Sequence, residues 1–210
     1  MNPRVWPTLL ACAGVLGLFL CASFALTRGL EHWTFEALRR DDAARGRLAA
    51  APVVIRTAGA DQQALWSGGE RAVYLLDFIY TTCPTLCRAL GSEFAQMQAQ
   101  LLAAPTQAAP RLLSLSFDLE RDGRDELAAY ARRHGADARV WTVAAPLTPA
   151  ERDRLLARLG VVVVPDGFGG YVHNGSILVV DGRGTVRGVF DPAQWQEALA
   201  AARRVAATAS

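Results

Sequence analysis

The stretch Val73-Tyr74-Leu75-Leu76-Asp77-Phe78-Ile79-Tyr80-Thr81-Thr82-Cys83-Pro84-Thr85-Leu86-Cys87 decides the fold of this chain. Residues 73–80 are almost unbroken apolar, the pattern of a strand buried on both faces at the centre of a parallel sheet. Thr81-Thr82-Cys83-Pro84 ends the strand, and Pro84 suits the first turn of a helix, where its missing N–H costs nothing. Leu86, Leu90, Phe94, Met97 and Leu101 then recur at helical spacing, which predicts a helix over 85–102.

Downstream, strands and helices alternate. Residues 111–117 (RLLSLSF) read as a strand, 122–134 as a helix with Leu127, Tyr130 and Ala131 on one face, and 140–143 as a short strand. Thr148-Pro149-Ala150-Glu151 is a capping box with Pro at the first helical position, opening a helix to about residue 159. A loop rich in Gly and Pro follows over 160–170. Residues 176–180 and 185–190 form a hairpin around Asp181-Gly182-Arg183-Gly184, and Asp191-Pro192 starts a last helix. Upstream, 52–55 read as a short strand. Alternation closed by a hairpin and a helix predicts an α/β thioredoxin-like domain: a central mixed sheet flanked by helices.

At the other end, residues 5–27 carry no charge, enough for a helix that crosses a bilayer, with Trp6 and Trp33 placed for its interfaces. A cleaved signal peptide has a shorter apolar region, and Ala22-Ser23-Phe24-Ala25 is a poor cleavage site. The chain therefore divides into an N-terminal transmembrane anchor (1–27), a polar, partly helical connector (28–50) and the thioredoxin-like domain (51–210). Cationic residues are denser after the anchor than before it, which favours a cytoplasmic domain; long domains cross largely regardless of charge, and the site chemistry places this one outside. All 22 basic residues are Arg, and the formal net charge is only +2. Scattered in this way, they make no phosphate-binding stripe, so nucleic acid is not an expected partner.

The four cysteines fall into two pairs. Cys12 and Cys21 lie in the apolar run; Cys83 and Cys87 sit four residues apart where a central strand meets a helix start. That spacing is one helical turn, so both sulfurs can share a face, and a helix N-terminus favours the thiolate. Thiolates bind soft metals, Cu(I) or Zn(II), or exchange disulfides. Two sulfurs leave either ion under-coordinated. Of the three histidines, His32 lies in the connector and His134 closes a helix, where it complements the dipole. His173 follows the Gly/Pro loop, which in this fold passes over the same sheet edge as the cysteines. It is the candidate third ligand.

These residues also carry a resemblance. Residues 78–87 (FIYTTCPTLC) resemble the strand and CxxxC signature of the Sco/SenC family, residues 116–122 (SFDLERD) its Ser-x-Asp-Pro-x-Arg-Asp stretch, and Tyr171-Val172-His173 ahead of the hairpin its histidine. The resemblance runs from about residue 73 to 190. It implies a thioredoxin-like domain tethered by one transmembrane helix on the periplasmic side of a bacterial inner membrane. It implies copper held by Cys83, Cys87 and His173, with Asp118 in a supporting place beside the site. It implies a metallochaperone for the dinuclear copper site of cytochrome c oxidase, with that copper-site subunit and thiol–disulfide reductants as partners.

Three positions depart from the family pattern: Arg88 replaces a Pro, Leu119 replaces a Pro, and Val172 replaces an Asp. Losing a carboxylate beside His173 weakens its orientation, and a fixed positive charge beside Cys87 favours thiolate over cation. Both changes lean toward redox work. The alternative is therefore a membrane-anchored thiol–disulfide oxidoreductase with Cys83 as attacking thiol and Cys87 as its partner; a thiol peroxidase on the same fold is a third reading.

Overall fold

The computed structural model describes residues 5–57, 59, 62–67, 72–83, 86–105 and 109–209, the side chains of 86–89 and 209 excepted. It separates into two compact units, Met1–Asp41 and Asp42–Ser210. In the first, helix α1 (Val5–Leu26) has no buried residue. At 1.5 Å per residue it spans about 33 Å, enough for the roughly 30 Å hydrocarbon layer of a bilayer. Among the described residues it is the one helix long and apolar enough to cross a membrane. Helix α2 (Phe35–Ala44) begins where the Thr34 hydroxyl accepts the Ala37 N–H at 3.1 Å. The Arg28 guanidinium pairs with Asp41, and His32 Nε2 lies 3.7 Å from the same carboxylate. His32 thus has a partner in its own unit.

The second unit runs β1 (Val53–Thr57), β2 (Gln62–Leu65), β3 (Tyr74–Ile79), α3 (Leu86–Ala103), β4 (Arg111–Ser116), α4 (Arg124–His134), β5 (Trp141–Pro146), α5 (Pro149–Arg158), β6 (Val163–Pro165), β7 (Tyr171–His173), β8 (Ile177–Val180), β9 (Val186–Phe190), a 3-10 turn (Pro192–Gln194) and α6 (Trp195–Ala209). Seven strands form a sheet in the order β2-β1-β5-β4-β3-β8-β9. β3, β4 and β5 are parallel; β8 joins β3 antiparallel, and β1 joins β5 antiparallel. This is the mixed sheet flanked by helices that the alternation predicts.

The centre of the sheet follows from composition. All six residues of β3 are buried, as an unbroken apolar strand requires. The helical stripe Leu90, Phe94, Met97 and Leu101 is buried along α3, which packs against α4 and α6. The Thr148–Glu151 capping box forms in both directions at the start of α5. Two features depart from the sequence reading. β2 adds an edge strand whose first three residues are exposed. The Gly/Pro stretch 160–170 contains β6, which pairs with β7 as a separate two-stranded ribbon in the register Val163↔His173, Val164↔Val172, Pro165↔Tyr171.

Candidate metal and thiol site

Ligand sites in parallel sheets form beyond the carboxyl ends of the strands, and there the singled-out residues converge. Tyr80 leaves β3 beside Phe117, which leaves β4; the Phe117 N–H donates to the Ile79 carbonyl at 3.1 Å. The chain then turns, and the Cys83 N–H donates back to the Tyr80 carbonyl at 3.1 Å. Cys83 is buried at the end of this turn. Cys87 lies in the first turn of α3, and its side chain is outside the described residues.

The turn is clamped from below by a carboxylate. Asp122, wholly buried, accepts the Thr81 N–H at 2.8 Å, the Thr81 hydroxyl at 2.6 Å and the Ser116 hydroxyl at 2.5 Å. Arg133 donates to the Thr81 carbonyl at 3.3 Å, and Arg56 donates to the Asp122 carbonyl at 3.1 Å. A buried carboxylate holding three donors fixes backbone geometry far better than a solvated loop can. In sequence, Asp122 closes the acidic motif at 116–122 with no role apparent from its residue type. The signal it carries is its position, just beyond a strand whose polar end holds Ser114 and Ser116.

His173 enters from β7. Its ring meets Phe117 edge-on at 5.3 Å between centroids and Tyr80 at 6.5 Å. Tyr171 closes the cluster, 5.3 Å from Tyr80 and 5.4 Å from Phe117. Both His173 ring nitrogens are buried, and among the described residues neither has a hydrogen-bond partner. Burial holds the imidazole below its ordinary pKa, so the ring is neutral at pH 7. A neutral imidazole carries a lone pair on one nitrogen, and an enclosed polar group with no partner is costly unless the working state supplies one. A neutral imidazole with a lone pair can act as a ligand to a soft or borderline cation.

Asp118 is buried at the start of the β4–α4 loop, its N–H on Ser116 Oγ at 3.1 Å and its carboxylate 3.5 Å from Arg121. Burial first, then the nearby Asp122, pushes its carboxyl above the ordinary range. His134, the last residue of α4, packs on Tyr130 with ring centroids 4.4 Å apart and lies away from this cluster, under Gly91 of α3. Cys12 and Cys21 are exposed on α1. The structure thus brings the turn of Cys83 and the ribbon of His173 to one end of the sheet through Tyr80 and Phe117.

The family model described as SCO1/SenC matches residues 63–208, well over half of the chain. The chain is 26% identical over 116 residues to the SCO1 protein homolog of Bacillus subtilis (strain 168), a match covering 54% of this chain and 59% of that relative's length. Among solved structures it is similar to BsSco, a member of the Sco family of cytochrome c oxidase assembly proteins in which a disulfide switch was identified (TM-score 0.65, 20% identity, 76% of this chain and 94% of that one). It is also similar to Bradyrhizobium japonicum ScoI with copper bound (TM-score 0.56, 19% identity, 74% and 98%). With the family model running from β2 through both site segments into the last helix, the chain belongs to the SCO1/SenC family.

Proposed function

We propose that this chain is a membrane-anchored copper metallochaperone that serves assembly of the dinuclear copper site of cytochrome c oxidase. Cys83, Cys87 and His173 hold the copper, and Asp118 supports the site from the loop beside it. Helix α1 anchors the chain in a bacterial cytoplasmic membrane, with the thioredoxin-like domain on the outer side. The observation that carries the reading is the His173 imidazole: neutral, enclosed, both nitrogens without a partner among the described residues, at the sheet end where the Cys83 turn lies. Copper-bound Bradyrhizobium japonicum ScoI and the cytochrome c oxidase assembly role of the BsSco family support the assignment of cargo and pathway.

Copper is cargo here, taken from a donor and passed to the copper-site subunit. Two thiolates and a neutral imidazole suit Cu(I), which accepts three soft or borderline ligands. Each thiol loses its proton on binding, so loading releases protons. The dithiol must be reduced to load, which makes thiol–disulfide reductants the expected partners.

A second reading has its own support. Arg88 stands next to Cys87 in sequence, and Val172 occupies the place of a carboxylate beside His173. As an oxidoreductase, the Cys83 thiolate attacks a partner disulfide, Cys87 resolves the mixed disulfide, and the partner leaves with two thiols. The disulfide switch of BsSco supports keeping this reading.

The test is an anaerobic Cu(I) titration of the full-length, detergent-solubilised and reduced chain against a chromophoric chelator. A metallochaperone binds a single copper, loses binding in Cys83→Ser and weakens by about tenfold or more in His173→Ala, the scale of losing one ordered ligand. Unchanged affinity in His173→Ala, together with brisk reduction of a model disulfide, favours the oxidoreductase.

A further inference from the structure

The ribbon that carries His173 is only two strands wide, so its outer edge needs a partner. The Asp166 N–H donates to the Gly170 carbonyl and the Asn174 N–H to the Val162 carbonyl, at 3.0 and 3.4 Å. Antiparallel pairing alternates hydrogen-bonded and open positions. The pairs Pro165↔Tyr171 and Val163↔His173 therefore turn their own C=O groups outward, together with the N–H of every member but Pro165. At Tyr171 one side chain meets both. The Tyr80 hydroxyl accepts the Tyr171 N–H and donates to the Tyr171 carbonyl, each at 3.3 Å.

Tyr80 holds the other half of the site as well. Its carbonyl accepts the Cys83 N–H, and its ring lies between Phe117, Tyr171 and His173. One buried residue thus touches the cysteine turn through its backbone and the histidine ribbon through its hydroxyl. A second hydrogen bond to the ribbon from outside it, among the described residues, is weaker for this purpose. Arg121 donates to the Gly169 carbonyl at 2.5 Å, but that is four residues from His173, and the Arg121 side chain is half exposed.

We propose that Tyr80 is a positioning residue: by docking the Tyr171 backbone, its hydroxyl sets where the His173 imidazole stands relative to the Cys83 turn. The inference rests on the reading of His173 as a copper ligand. Removing the hydroxyl alone leaves the aromatic packing and frees the ribbon edge, so the imidazole loses its fixed place while the cysteine turn keeps its own.

The test uses the full-length chain, wild type and Tyr80→Phe, each also in the His173→Ala background. Amide exchange at Tyr171 is expected to speed up by about tenfold, the scale of one net hydrogen bond, with β3 and β4 unchanged. Acylation of His173 by diethyl pyrocarbonate is expected to quicken in parallel. The Cu(II) charge-transfer spectrum is expected to shift, and Cu(I) affinity to fall by several-fold in Tyr80→Phe but not further in the double variant, because Tyr80 acts through His173. Unchanged Tyr171 exchange and His173 acylation overturn the proposal, as does an equal affinity loss in both backgrounds. If the wild-type chain takes up no copper, the copper reading falls, while the exchange and acylation results still decide the role of Tyr80.

Discussion

The Asp122 carboxylate takes both the backbone N–H and the hydroxyl of Thr81, at 2.8 and 2.6 Å. These two bonds tie the β4–α4 loop to the turn that ends at Cys83. They explain how a thiol can sit at a strand end with its backbone fixed, ahead of the helix that carries its companion.

Replacing Asp122 with Ala leaves the Thr81 N–H, the Thr81 hydroxyl and the Ser116 hydroxyl without their buried acceptor. The expected loss is at least about 3 kcal/mol of unfolding free energy, since each of the three donors left buried without its acceptor costs about 1–3. Thermal or denaturant unfolding checks it, alongside faster alkylation of Cys83. Asp122→Asn retains one acceptor and is expected to lose less. A change under about 1 kcal/mol in the Ala variant removes the clamp from the account.

Asp77 gives a pH dependence. It is wholly buried in β3, beside Ser114 of β4, and burial pushes its carboxyl up to about 7 against a smaller opposing pull from the Ser114 hydroxyl. The folded chain therefore keeps a proton that the unfolded chain releases from about pH 4 upward. Stability from this group is complete below that pH and is lost as pH rises toward 7, by about 4 kcal/mol at most from linkage. Asp77→Asn is expected to match the wild type near pH 5 and to be more stable at pH 8. Parallel pH profiles of the two melting temperatures contradict the assignment.

Gly91 shows how closely α3 and α4 approach. A Cβ there would fall 2.3 Å from His134 Nδ1. Ala is favoured over Gly inside a helix by about 1 kcal/mol, whereas overpacking a filled contact costs about 1–3 kcal/mol. His134 is already packed on Tyr130, 4.4 Å between centroids, so the clash is expected to win. Gly91→Ala should lower the melting temperature by several degrees, on the scale of about 1–2 kcal/mol. A raised melting temperature means the imidazole moves aside at no cost.

Much of this architecture is legible in the chain because its strongest signals are its most buried parts. The run at 74–79 is buried on every residue, and the α3 stripe and the Thr148 capping box are local patterns that packing only confirms. β2 escaped because Gln62-Gln63-Ala64 offers no apolar alternation; its register comes from β1. β6 escaped because Gly and Pro around it announce a loop, and the ribbon owes its pairing to Asp166, whose carboxylate accepts the Phe168 and Gly170 N–H groups. At the site, Cys83, Cys87 and His173 stand out by their chemistry, and Asp118 only through the family resemblance. The supports do not: Tyr80 reads as one more apolar strand residue, and Asp122 as a helix-start acid. Their roles arise from contacts 41 and 91 residues apart in sequence, which no local pattern encodes.

The proposed copper pocket joins the His173 imidazole to the sulfurs of Cys83 and Cys87. X-ray absorption of the Cu(I)-loaded, full-length chain reads those ligands directly. Two sulfur neighbours and a single imidazole are expected, with the imidazole scattering absent in His173→Ala. An imidazole-free spectrum in the wild type, or one that His173→Ala leaves unchanged, contradicts it.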